Sequence, residues 1–99
     1  MTLKIHRSAG NVFRDLGFPP KEAENLMIRS TLMIQLSRII RDCGLTQARA
    51  ATLFGVSQRR VSDLVRGKIE RFSIDMLVTM LSRAGVNVSL VVKRKPKVA

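Results

Sequence analysis

The apolar positions between Pro20 and Gly44 recur at the spacing of an α-helix. The stripe begins at Leu26 and continues in steps of seven, three, four and three residues, which places its members on one helical face. These members are Leu26, Met33, Leu36, Ile40 and Cys43. Pro suits the first turn of a helix, and Gly suits the position after its end. The pattern therefore predicts one long helix with a buried stripe that includes Cys43. Ser30–Thr31 is the point where this helix could divide in two.

Three shorter helices are predicted downstream, each preceded by a hydroxyl residue and followed by a glycine. A Ser or Thr at this position accepts a hydrogen bond from a backbone N–H of the first helical turn. Gly tolerates the left-handed conformation that commonly ends a helix. The predicted helices are Gln47–Phe54 after Thr46, Gln58–Arg66 after Ser57 and Ile74–Ala84 after Ser73.

The period changes from helical to alternating after Gly85, where apolar residues occupy positions 86, 88, 90 and 92. This alternation predicts a strand over residues 86–93. A lone strand leaves its backbone groups without partners. A partner strand is therefore expected, either from the N-terminal arm, where Thr2–His6 could form one, or from a second copy of the chain. The predicted organisation is an arm (1–19), a helical domain (20–85), a strand that is a candidate dimer contact (86–93) and a basic tail (94–99).

Charge adds a functional expectation to this helical pattern. Eighteen Lys and Arg residues oppose seven Asp and Glu residues, which gives a formal net charge of +11. Such an excess favours a polyanion because neutralised phosphates release counterions. An acidic membrane surface or an acidic protein would be alternative partners. With no signal peptide, no long apolar span and a single cysteine, a cytoplasmic protein is expected.

The segment 46–67 has the residue pattern of a helix-turn-helix. Such a motif needs small residues where its helices cross, a turn that permits positive φ, and apolar residues that hold the second helix against the first. Gly55 suits the turn, and Ala50 and Ala51 suit the crossing. The apolar residues that suit the packing are Phe54, Val56, Val61 and Leu64. We therefore expect a helix-turn-helix here rather than a generic helical hairpin.

The second motif helix is expected to read double-stranded DNA in the major groove. Val61, Leu64 and Val65 are predicted to be buried, which leaves a polar face outside. The predicted base contacts are Gln58, Arg59, Ser62 and Asp63. The predicted phosphate contacts are Gln47, Ser57, Arg60, Arg66, Lys68 and Arg71. As an alternative, Arg59 and Asp63 could simply pair on the surface, because they are four residues apart on one helix.

A homodimer is expected on two grounds. The strand 86–93 needs a partner, and one recognition helix alone gives little affinity. Two copies about 34 Å apart would read a palindromic operator. The predicted two-fold interface uses the strand or the last helix.

No enzymatic, metal or cofactor site is expected. His6 has no second ligand with which to form a metal site, and Cys43 lies in the predicted core stripe rather than beside a base. The sequence contains no Gly-rich phosphate loop. The helical methionines are expected to fill the core, and these are Met27, Met33, Met76 and Met80.

Four short segments carry a family resemblance. They are Val12–Gly17, Gly44–Gln47, Arg66–Gly67 and Phe72–Ser73. With them the chain resembles helix-turn-helix proteins of the XRE superfamily, and most closely the HigA-like antitoxins. The resemblance implies an all-α, phage-repressor-like bundle of four to five helices with one C-terminal strand.

The same resemblance implies a dimer that represses its own toxin–antitoxin operon and neutralises a RelE-like mRNase. Phe13, Leu16 and Phe18 in the arm are then the candidate toxin contacts, unless they close the core of their own domain. Arg49 departs from the acidic residue that family members often carry at this position, so one partner of the Thr46 cap is missing. The alternatives are a stand-alone or phage-type repressor without a toxin, and an interaction module that has lost DNA binding.

Overall fold

Five α-helices and a two-stranded sheet make up the fold in the computed structural model, which describes residues 2–7 and 12–92. In chain order the elements are β1 (Thr2–Arg7), α1 (Val12–Asp15), α2 (Pro20–Asp42), α3 (Gln47–Phe54), α4 (Gln58–Val65), a 3₁₀ turn (Ile69–Arg71), α5 (Ile74–Arg83) and β2 (Asn87–Val92). The predicted class, a mainly helical bundle with a C-terminal strand, is confirmed. The predicted basic tail 94–99 lies outside the described residues.

Helix α2 runs without a break through Ser30–Thr31. Thr31 Oγ1 donates to the carbonyl of Met27 at 2.9 Å, so its hydroxyl is satisfied inside the helix. The buried residues of α2 are Ala23, Leu26, Leu32, Met33 and Leu36. The prediction that Cys43 is buried is wrong, because Cys43 is exposed. It is the residue after the last turn of α2 and no longer follows the helical stripe.

The core forms where α4 and α5 pack against α2 and where α3 packs against α4 and α5. Its largest fully buried side chains are Phe54, Leu32, Leu36, Leu64, Leu77, Met80, Leu81 and Val61. Met33 is also buried, while Met27 and Met76 are only half-buried. The expected role of the methionines as core filler therefore applies in full to two of the four.

The predicted caps fix the starts of the three short helices. Thr46 Oγ1 accepts from the Arg49 N–H, Ser57 Oγ from the Arg60 N–H and Ser73 Oγ from the Met76 N–H, each at 3.1 Å. Thr46 thus caps α3 although Arg49 replaces an acidic residue. Helix α3 has the predicted bounds, and α4 and α5 each end one residue earlier than predicted.

Strand β2 finds its partner within the same chain. It pairs with β1 in parallel, in the register Thr2↔Asn87 to Arg7↔Val92. Of the two alternatives for the partner strand, the structure contains the N-terminal one. Leu90 and Val92 of β2 are exposed, whereas Val86 and Val88, which alternation places on the same face, pack against the core. This face is therefore covered only near the start of β2.

The N-terminal arm also contains the short helix α1, which the sequence pattern did not predict. Phe13 and Phe18 pack edge to face with ring centroids 6.0 Å apart. Phe13 is half-buried, whereas the Leu16 side chain is 70% exposed. Leu16 therefore does not close the core. Among the described helices, none has the length and apolarity needed to cross a membrane.

Candidate DNA-binding surface

Helices α3 and α4 meet in a helix-turn-helix with the expected turn. Gly55 has φ of 70° and ψ of 35°, the left-handed conformation that its lack of a Cβ permits. The N–H groups of Gly55 and Val56 both donate to the carbonyl of Ala51, which closes the end of α3. The Arg83 side chain lies over this turn, so a Cβ on Gly55 would lie 2.7 Å from it. The turn is therefore fixed by both conformation and close packing.

The outer face of α4 differs from the predicted face at two residues, Val65 and Asp63. Gln58, Arg59 and Arg66 are exposed and Ser62 is half-buried, as a DNA-facing surface requires. The prediction that Val65 is buried is wrong, because this residue is 55% exposed. At about 100° per residue, Val65 lies about 20° from Gln58 and about 100° from Leu64, at the border between the exposed and the buried face.

Asp63, a predicted base contact, lies on the inner side of α4. It is only 7% exposed, and its Oδ1 lies 3.9 Å from Lys68 Nζ. The Lys68 N–H also donates to the Asp63 carbonyl at 3.0 Å. Burial of a carboxylate is tolerated when a cation accompanies it, and the main-chain bond keeps Lys68 close to Asp63. The structure thus places Asp63 beneath the exposed face of α4, paired with Lys68 rather than turned outward with Arg59.

Arg60, a predicted phosphate contact, is held by its own protein. Its Nη1 donates to the carbonyl of Arg71 at 2.8 Å. Its guanidinium carbon lies 5.6 Å from the ring centroid of Phe72, within the range of a cation–π interaction. The half-buried Arg60 side chain therefore lies along the protein instead of extending outward like Arg59.

The segment Gly67–Phe72, here called the connector, joins α4 to α5 and carries two of the predicted phosphate contacts. Arg71 is exposed, and Lys68 is half-buried beside Asp63. Between α4 and the connector lies a polar pocket of about 320 Å³. Its lining residues are Ser57, Arg59, Arg60, Asp63 and Arg71. Three arginines and one paired carboxylate make this pocket attractive to an anion.

Arg29 of α2 also contributes to this region and was missed by the sequence analysis. Its Nη1 donates to the carbonyl of Ile69 at 3.1 Å and to that of Phe72 at 3.3 Å. Nothing in the sequence signals this contact, because the helical stripe marks apolar positions and Arg29 lies 40 or more positions from its partners.

The remaining predicted phosphate contacts lie on two separate parts of the motif. Gln47 is exposed at the start of α3, and Ser57 is exposed at the start of α4, where backbone N–H groups favour an anion. Arg66 is exposed just after α4. The structure therefore brings Ser57, Arg59 and Arg71 to one pocket and leaves Gln47 on the neighbouring helix.

Within residues 2–7 and 12–92, no cluster of three or more His, Cys, Asp or Glu residues is suited to a metal ion.

Comparison with known proteins agrees with this geometry. The helix-turn-helix domain family matches residues 12–93, which is most of the chain. A solved structure described as an XRE-family transcriptional regulator is 34% identical, with a TM-score of 0.70 over 77% of this chain and 85% of that one. None of the curated proteins compared with the chain is significantly similar to it. The chain therefore belongs to the helix-turn-helix domain family and is of the XRE type, a class of DNA-binding regulators without enzymatic activity.

Proposed function

We propose that this chain is a sequence-specific DNA-binding transcriptional regulator that reads the major groove with α4. The observation that carries the proposal is the exposed outer face of this helix above the buried Val61 and Leu64. Gln58 and Arg59 lie at its N-terminal end, the part of a recognition helix that reaches base edges. Arg matches guanine O6 and N7, and Gln matches adenine N6 and N7. Ser62 is the third base contact in this proposal, and the buried Asp63 supports the helix from behind.

Phosphate contacts at both sides of α4 position it in the groove. Gln47 lies at the N-terminus of α3 and Ser57 at the N-terminus of α4, where main-chain N–H groups can bind DNA phosphates. Arg66 and Arg71 are exposed cations next to the reading face, and the net charge of +11 adds a general attraction for DNA. Contacts of this kind fix the register, while Gln58 and Arg59 select the sequence.

The proposed assembly is a two-fold homodimer on a palindromic operator. Two recognition helices about 34 Å apart would contact successive major grooves. The dimer contact in this proposal uses the exposed end of β2, with Leu90 and Val92, or else α5. Light scattering after size exclusion at micromolar concentration is expected to give twice the chain mass. A monomer under these conditions would contradict the dimer.

The proposed role is that of a cytoplasmic antitoxin that represses its own operon and neutralises a RelE-like mRNase. The support is the resemblance carried by Val12–Gly17 and the other short segments. The exposed Leu16 and Phe18 offer an apolar surface to such a toxin. A stand-alone repressor is the second candidate, favoured by the solved relative, which is described only as a transcriptional regulator.

The antitoxin role predicts a small toxin gene adjacent to the gene of this chain, and the product of that gene is the partner to test. A Leu16→Asp variant is expected to lose binding to it, and Val65→Asp, at another exposed apolar residue, tests whether the loss is confined to the arm. Calorimetry and inhibition of mRNA cleavage give independent readouts. No binding by the unmodified chain would leave the stand-alone repressor as the function.

The DNA-reading role is tested by titrating the chain against its own promoter fragment and random DNA across a salt series. Arg59→Ala is expected to lose about 1–3 kcal/mol on the promoter and little on random DNA, because it removes a base contact. The charge-matched control is Arg38→Ala, which removes an exposed arginine of α2. It should change the affinities for the promoter and for random DNA by the same factor. If the unmodified chain binds both DNAs equally weakly, α4 does not read sequence.

A further inference from the structure

The connector receives hydrogen bonds from arginines of two different helices. Arg29 reaches it from α2 and donates to the carbonyls of Ile69 and Phe72 at 3.1 and 3.3 Å. Arg60 reaches it from α4 and donates to the carbonyl of Arg71 at 2.8 Å. A one-turn 3₁₀ helix leaves most of its carbonyls without an internal partner. Two long side chains thus donate to three main-chain carbonyls of the connector, and the carbonyl of Ile69 also accepts from the Phe72 N–H at 3.2 Å.

Both arginines are themselves anchored. Arg29 Nε donates to Asn25 Oδ1 at 2.7 Å, which fixes the guanidinium plane. Arg60 lies over the ring of Phe72, and Phe72 is buried in the core. A planar guanidinium presents its donors in a fixed fork, so an anchored arginine also fixes the groups to which it donates. The connector is thus held from two sides.

We infer that Arg29 and Arg60 are positioning residues that hold the connector so that Arg71 binds a DNA phosphate in the polar pocket beside α4. This inference rests on the proposed DNA-binding function. Arg60 donates a hydrogen bond to the main-chain carbonyl of Arg71 and so fixes the backbone position from which the exposed Arg71 side chain extends. Ser57 and Arg59 line the same pocket, at the start of the reading helix. Arg60 also lines this pocket, and the role inferred for it here is to act through Arg71.

The physical advantage is a smaller loss of conformational freedom on binding. A loop that samples many conformations must be ordered when its cation meets a phosphate, and ordering each backbone residue is costly. Here the connector is already ordered by Arg29, Arg60 and the buried Phe72. Arg71 therefore has only its own side chain to immobilise.

A double-mutant cycle separates this role from direct phosphate contact. Arg60→Met removes the guanidinium but keeps a long apolar side chain on Phe72. Arg71→Ala removes the phosphate contact but leaves the main-chain carbonyl that Arg60 grips. Arg60→Met is expected to weaken promoter binding about tenfold in the unmodified chain, the size of one hydrogen bond to a charged group. In the Arg71→Ala background the same change should weaken promoter binding by about threefold or less, because the side chain that Arg60 positions is then absent.

The controls are chosen for charge and for position. Arg66→Met removes an exposed arginine next to α4 and should combine additively with Arg71→Ala, within about twofold. Arg60→Lys keeps the charge but loses the planar fork, so it should not restore the affinity of Arg60→Met. A lysine would restore a direct phosphate contact, because it binds phosphate as a point charge. Equal losses in both backgrounds, or rescue by lysine, would overturn the inference.

Amide hydrogen exchange on the free protein tests the same inference without DNA. Arg60→Met and Arg29→Met should each speed exchange at the Arg71 and Phe72 amides about tenfold while α2 stays protected, which shows that the variants fold. If the unmodified chain binds no specific DNA, the proposed function fails and this measurement still reports whether the arginines hold the connector. Unchanged exchange in both variants would overturn the inference even if DNA binding were specific.

Discussion

Replacing Gly55 with alanine tests why the helix-turn-helix turn has its observed shape. Gly55 has φ of 70°, and a Cβ there would lie 2.7 Å from Cδ, Nε and Cζ of Arg83. The substitution therefore adds two penalties, one from the backbone conformation and one from the displaced arginine. Gly67 separates them, because it has the same φ of 70° but no atom within 4 Å of its virtual Cβ.

The two penalties have different magnitudes. A left-handed conformation costs an L-residue about 1–2 kcal/mol relative to the right-handed one, and this is the whole expected effect of Gly67→Ala. The displaced atoms are the far end of the flexible, exposed Arg83 side chain, so moving them adds at most about 0.5–1.5 kcal/mol, the cost of an off-rotamer χ angle, to Gly55→Ala. In a domain of this size each kcal/mol corresponds to a fall of about 4–8 °C in Tm. Gly55→Ala should therefore unfold below Gly67→Ala, and both below the unmodified protein.

The assay is urea and thermal unfolding followed by circular dichroism. Arg83→Ala combined with Gly55→Ala should bring the loss of stability back to that of Gly67→Ala, because the displaced side chain is gone. The unfolding slope in urea should stay constant across the series, which would show that only the native turn has changed. A Gly55→Ala protein as stable as the unmodified chain would refute the reasoning for both penalties. Equal losses at Gly55 and Gly67 would refute the part that involves Arg83.

Two further predictions concern the core and the start of the reading helix. Leu36→Ala should lower the free energy of unfolding by about 2–5 kcal/mol, because Leu36 is fully buried. The control Ile34→Ala should lower it far less, because Ile34 is half-exposed. Chemical denaturation of the two variants checks this, and equal losses of stability would contradict it. Ser57→Ala should cost about 1 kcal/mol of stability by removing the cap on the Arg60 N–H. It should also weaken promoter binding, while Ser82→Ala, exposed in α5, should do neither; a Ser57→Ala variant with normal stability would show that the cap is dispensable.

The ends of the short helices could be predicted because local groups decide them. Thr46, Ser57 and Ser73 each accept a hydrogen bond from an N–H three residues ahead. The bounds of α3 follow from Thr46 and Gly55 alone. Such contacts need only a few neighbouring residues, so the chain carries their signal in consecutive letters.

The inner and outer faces of α4 could be predicted only in part. Val61 and Leu64 are buried as expected, but the apolar Val65 is exposed and the charged Asp63 is buried. Their residue types led us to expect a buried Val65 and an exposed Asp63. The connector folds back on Asp63 and supplies Lys68 as its partner, so the boundary of the buried face depends on a segment that follows the helix. Periodicity on a helix of eight residues cannot locate that boundary to one position.

The sequence by itself determined the helices near the motif, the turn at Gly55, the exposed positions of Gln58 and Arg59 at the start of α4 and the strongly basic character of the chain. Only the tertiary structure decided that β1 is the parallel partner of β2, that Arg60 turns inward, and that Arg29 meets the connector. The physical reason is the range of the interactions. Caps, turns and helical periodicity are set by neighbours along the chain, whereas strand pairing and long side-chain hydrogen bonds join residues that only the packed fold brings together.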